Sequence, residues 1–259
     1  MKKKLSVLNL LSVILVIVVN YLSQTMRFNE TTIGEVSNKY FNLFTPAGYA
    51  FAIWGLIFLA LFLYGIHQIR MAFISKKKST YIEETGYWFI IANMLNCAWV
   101  FVFAFDYTGM SVLIMLGILF SLLQIVRHTN MAKVPATKMT IIFGWLPIGI
   151  YSGWIAVATI ANFSAYFAKL GWNGAPLSEE AWTIIMIIIA ILVNLFMLTK
   201  RNMREFALVG VWALFAIYIR HNDNLDSIAY TSVAGSTILL TAITVHAYQT
   251  RKTNPFFNF

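Results

Sequence analysis

The sequence predicts an all-α protein, a polytopic transmembrane helical bundle, and three observations carry that prediction. Hydrophobic residues fill 59% of the 259 positions and charged residues only 11%, against roughly 25% charged in an average soluble domain. The apolar residues are gathered into blocks of about twenty, the length a helix needs to cross a bilayer, and mean hydropathy is +0.72. The lysines and arginines fall in short clusters between those blocks, where topology determinants sit. A net charge of +9 distributed in this way does not imply a nucleic-acid partner; the lipid bilayer is the expected one.

The blocks place eight spans, at residues 5–23, 47–69, 87–105, 109–126, 139–162, 181–199, 205–219 and 230–248. The first follows Lys2-Lys3-Lys4 but is long and lacks a small-residue cleavage site, so it reads as a span and not as a removed signal. The second opens on Thr45-Pro46, with Thr as a natural N-cap and Pro at the first helical position. The third carries Asn93, Asn96 and Trp99 at three-residue spacing, giving one face of amides and an indole.

The fourth span carries Gln124 and the sixth Asn194; such amides commonly join helices, at about 0.6 kcal/mol per contact. In the fifth, Tyr151, Trp154, Ala158 and Asn162 share an arc of roughly 80°. An unpaired phenol or amide in hydrocarbon costs several kcal/mol, so that stripe must face other helices or something held between them. The seventh span is short and is supported by charge parity. With it, Lys2–Lys4, Arg70, Lys76–Lys78, Arg127, Lys133, Lys138, Lys200, Arg201, Arg204, Arg251 and Lys252 share one side, leaving Arg27, Lys39, Lys169 and Arg220 on the other. Both termini are then expected on the cytoplasmic side. The two long outer loops, 24–45 and 164–180, read as ordered lids over the bundle.

No Asp, Glu, Lys or Arg lies mid-span. Ion-coupled transporters keep ionisable groups near the midplane, so a coupled pump is disfavoured. The chain has no nucleotide-binding motif and no nucleophile–base constellation, and its single cysteine, Cys97, forms no CxxC metal site. No catalytic residue and no metal ligand is expected. What remains is neutral: deep indoles at Trp54, Trp99 and Trp154 beside amides, which suit a flat hydrophobic ligand.

These residues resemble the translocator protein/tryptophan-rich sensory protein family (TspO/MBR). Pro46 and Trp54 match the start of its second helix. Asn96, Trp99 and Phe103 match its third helix. Tyr151, Trp154, Ala158, Thr159 and Asn162 match its fifth in order and spacing. The chain departs from the pattern at Ile150, where the family has Pro and this chain has Pro147 a turn earlier. It also departs at Ala50, with Phe51 one position off, and at Phe58, where the family has Tyr.

The resemblance implies a five-helix TspO-like core over residues 1–165, with about three extra transmembrane helices over 166–259. It implies a ligand pocket lined by Trp54, Asn96, Trp99, Tyr151, Trp154, Ala158 and Asn162, with 24–45 as its lid. No cofactor is required; a porphyrin or haem-type tetrapyrrole is the implied ligand, a homodimer the implied assembly, and the cytoplasmic membrane of a bacterium the expected location. Three functions follow: a receptor or sensor for a planar hydrophobic ligand, an uncoupled transporter of such a ligand or another small solute, or an enzyme that degrades porphyrin photo-oxidatively. Neutral residues supply no acid–base machinery for the third.

Overall fold

The computed structural model describes residues 1–75 and 80–251. Lys76, Lys77, Lys78 and Lys252 of the basic clusters lie outside the described residues. All described regular structure is helical, and each of the eight expected spans coincides with a helix. Six helical stretches are long and apolar enough to cross a membrane. The third span is an apolar helix of 17 residues, and the seventh, with 18 residues, carries Arg204, Glu205, Arg220 and His221 in its end turns and is not among the six.

Five helices close a ring. In chain order they are α1 (Lys2–Thr25), α3 (Ile53–Phe73), α5 (Trp88–Ala104), α6 (Thr108–His128) and α8 (Leu146–Lys169); their contacts order them α1–α3–α8–α6–α5 and back to α1. Short helices α2 (Ile33–Lys39), α4 (Tyr81–Thr85) and α7 (Lys138–Thr140) lie in the connections. Outside the ring, α10 (Arg204–His221) packs on α8, and α9 (Glu179–Arg201) and α11 (Asp226–Gln249) pack on α10 and on each other.

Small residues set two of these approaches. A Cβ on Gly65 would lie 2.8 Å from Leu10, where α1 meets α3, and one on Gly153 would lie 2.9 Å from the Phe206 carbonyl oxygen, where α8 meets α10. Without a hydrophobic drive between helices in lipid, such close backbone packing is a main source of association.

The structure corrects three local expectations. Thr45-Pro46 does not open the second span: a 3₁₀ turn over Gly48–Ala52 precedes α3. The Thr45 N–H and hydroxyl instead donate to Asn42 Oδ1, both at 3.0 Å, and Ala47 precedes the 3₁₀ turn without a side-chain cap. The fifth span starts with a π-helical turn, Ile141–Trp145, before α8. Pro147 cannot donate to the preceding turn, and local widening accommodates the missing bond. Finally, α8 continues past residue 162 to Lys169, so residues 164–169 of the second outer loop are helical; Gly171 at φ 68° lies beyond its end.

Candidate functional site

The stripe on α8 turns into the ring. Tyr151, Trp154 and Asn162 are buried, and Ala158 is partly exposed. The polar groups meet partners from other helices, as burial in an apolar setting demands. Asn20 donates to Asn96 Oδ1 at 3.1 Å, and Asn96 donates to the Tyr151 hydroxyl at 3.1 Å, linking α1, α5 and α8. The Trp99 indole donates to Asn162 Oδ1 at 2.9 Å, and Asn162 donates to Ser111 Oγ at 2.8 Å, linking α5, α8 and α6.

The indoles gather one layer towards the outer end. The Trp54 and Trp154 rings stand 6.5 Å apart at 84°, and Trp54 meets Tyr151 at 6.1 Å and 64°. Phe51 sets its edge against Trp154 at 5.9 Å, so the phenylalanine displaced by one position still reaches the site. Trp99 stacks on Phe103 at 4.9 Å.

Between these groups lies a cavity of about 60 Å³. Of the seven residues expected at the site, Trp54, Trp99, Trp154, Ala158 and Asn162 line it. Asn96 and Tyr151 do not; they bond to each other beneath it. Both ends of the Asn162 amide are engaged by Trp99 and Ser111, so it contributes a wall and holds the Trp99 ring in place. The Trp154 indole nitrogen is buried without a hydrogen-bond partner, an unmet donor among the residues of the cavity wall. No charged side chain lines the cavity.

The outer wall comes from the segment between α1 and α3, through Ile33, Ser37, Thr45 and Pro46. Its helix α2 lies in what was expected only as a loop and starts at Thr32-x-x-Glu35, a capping box that the structure forms in both directions. Phe28 stacks on Phe101 at 4.8 Å, and Asn29 donates to the Ala104 carbonyl at 3.1 Å. At the end of α2, Asp106 accepts from Lys39 at 2.7 Å and from the Tyr40 hydroxyl at 2.6 Å, with Lys169 at 3.4 Å. Burial pushes the Asp106 carboxyl up, but the bonds from Lys39 and Tyr40 and the Lys169 charge outweigh it and hold it below its ordinary value.

A cavity of 60 Å³ holds about two waters; pockets for drug-sized ligands measure roughly 300–1,000 Å³. In this closed form the site admits no macrocycle until its outer wall moves. A larger cavity, about 1050 Å³, opens at the opposite end of the ring, beside Arg70, Glu83, Thr137 and Trp145. It carries both signs of charge, on Lys2, Arg70, Glu83 and Glu84, which suits solvent better than a flat apolar ligand. Among the described residues, no group of three or more His, Cys, Asp or Glu could hold a metal ion.

Compared with known proteins, the chain matches the family model described as TSPO-like protein over residues 6–245. The match continues through α9 and α10 into α11, beyond the ring that carries the motifs. No curated protein and no solved structure gives a match.

Proposed function

On the premise that this chain belongs to the TSPO-like protein family, we propose that it is a membrane receptor or sensor for a planar hydrophobic ligand, a porphyrin or related tetrapyrrole. The chain is an integral membrane protein, and its family points to ligand binding or sensing. The observation that carries the finer reading is the convergence of Trp54, Trp99 and Trp154, from three different helices, on one uncharged cavity beside Ala158. Indole faces stack on flat rings, Ala158 leaves space, and the Trp154 N–H suits a carbonyl or carboxylate on the ligand's edge.

Titration of purified protein with protoporphyrin IX, read by quenching of tryptophan fluorescence, tests this. Saturable quenching at one site per chain is expected; quenching that rises linearly without saturation overturns the proposal.

A second reading is uncoupled passage of a small solute, favoured by the two cavities at opposite ends of one ring. Flux into proteoliposomes separates it from binding alone: a receptor gives the leak rate of empty vesicles.

A further inference from the structure

The helix with the least obvious role is α10, the short span outside the ring. One of its faces is bonded along the outer wall of the aromatic cavity. The Trp212 indole donates to the Ala50 carbonyl at 3.1 Å, the Ala216 carbonyl accepts from the Ala47 N–H at 3.1 Å, and Arg220 donates to the Thr45 carbonyl at 2.6 Å. These three stand at i, i+4 and i+8, a single stripe. The neighbouring His221 ring nitrogen donates to the Leu43 carbonyl at 2.9 Å, and the Arg220 guanidinium lies 4.6 Å from the centre of the Phe41 ring.

What α10 holds is residues 43–50, the loop over 43–47 and the start of the 3₁₀ turn that follows it, which contributes Thr45 and Pro46 to the cavity wall. Backbone groups at the edge of a bilayer need partners from the protein, and α10 provides them. The Lys39–Asp106 pair, on the chain just before this segment, has a lysine side chain 60% exposed, and solvent screens such a pair. The bonds from α10 come from half-buried donors, where a lower dielectric strengthens them.

We propose that Trp212, Arg220 and His221 are positioning residues that hold the 43–50 wall closed, and that release of this wall sets how fast a ligand reaches the Trp54/Trp99/Trp154 cavity. The ligand half of this statement rests on the binding function proposed above; the wall itself can be tested without ligand.

The test places a reporter thiol in the cavity, Ala158→Cys in a Cys97→Ala background, and measures its labelling by a small maleimide. Arg220→Ala and Trp212→Phe are each expected to speed labelling by about tenfold, the effect of losing roughly one charge-assisted or buried hydrogen bond. Arg220→Lys restores slow labelling in part. Gly65→Ala, which crowds Leu10 on α1 about 18 Å along α3 from its first residue, lowers thermal stability without speeding labelling, so general loosening is distinguished from release of the wall. Trp212→Phe keeps the ring and removes only the donor, so it reports even if Arg220→Ala fails to fold. Unchanged labelling in Trp212→Phe and Arg220→Ala, or equal acceleration in Gly65→Ala, overturns the proposal. Faster labelling in a protein that binds no protoporphyrin IX upholds the wall while removing the ligand reading.

Discussion

The Trp99 indole nitrogen lies 2.9 Å from Asn162 Oδ1, so two helices on opposite sides of α6 in the chain are tied by one hydrogen bond. The bond fixes the plane of the Trp99 ring, and Asn162 passes the constraint to Ser111 on α6. Asn162→Ala removes both contacts and leaves a buried indole N–H unpaired. A loss of roughly 1–2 kcal/mol is expected, seen as a lower thermal midpoint in detergent. Asn162→Gln, too long for both partners, is expected to fall in between; a midpoint equal to wild type in Asn162→Ala would show the network to be idle.

The α8/α10 contact predicts unequal costs for two glycines. A Cβ on Gly153 meets the Phe206 backbone, with its carbonyl oxygen at 2.9 Å and its Cα at 3.1 Å. A Cβ on Gly149 overlaps the Glu205 side chain from its Cγ to its carboxyl, an overlap that a change of rotamer at the Glu205 stem relieves without moving backbone. Gly153→Ala is therefore expected to cost more than Gly149→Ala, by about 1 kcal/mol within the usual range for overpacking. Thermal unfolding of the two variants checks the order.

Acid should loosen the outer segment. Asp106 is held below its ordinary carboxyl value by Lys39, Tyr40 and Lys169 against the opposing effect of burial. A depressed folded pKa means its stabilising contribution is complete above the unfolded value, near 4, and is lost as pH falls through the lower folded value. Protection from hydrogen exchange over 33–40, corrected for the intrinsic rate, is expected to fall below about pH 4 in wild type, and to be lower already at neutral pH in Asp106→Asn, which keeps only the pH dependence of Glu35, whose carboxyl the Thr32 backbone bond holds below its ordinary value. Identical profiles in the two proteins would remove Asp106 from the tie.

Ala158 tests the cavity by filling it. Leucine at this position occupies space that is only about 60 Å³ in the closed form and narrows the opened one. Ala158→Leu is expected to weaken protoporphyrin IX binding at least tenfold, about 1.4 kcal/mol, while leaving the thermal midpoint within a degree or two of wild type.

Much of the ring was legible because each of its helices is its own apolar block, and the stripe on α8 was legible because helical periodicity is local. Trp54, Trp99 and Trp154 were named from spacing within single helices, and folding brings them to one cavity. What could not be read is pairing between distant segments. Asn162 was named for its place on the stripe and lines the cavity, but its bonds to Trp99 and Ser111, on other helices, could not be read from that spacing. The short apolar stretch of α10 has the same origin. Its Trp212, Arg220 and His221 lower its hydropathy because they serve backbone carbonyls some 160 or more residues earlier in the chain. The capping box at Thr32 and Glu35 was a local sign of α2 that the apolar pattern alone does not reveal.

The most direct measurement compares protoporphyrin IX affinity in wild type and in a Trp54→Ala/Trp154→Ala double variant, followed by porphyrin absorbance so that the lost indoles do not remove the readout. If the aromatic cavity is the binding site, affinity falls by at least tenfold, about 1.4 kcal/mol, while the protein remains folded. An affinity equal to wild type in the folded double variant would place any porphyrin site elsewhere and contradict the central claim.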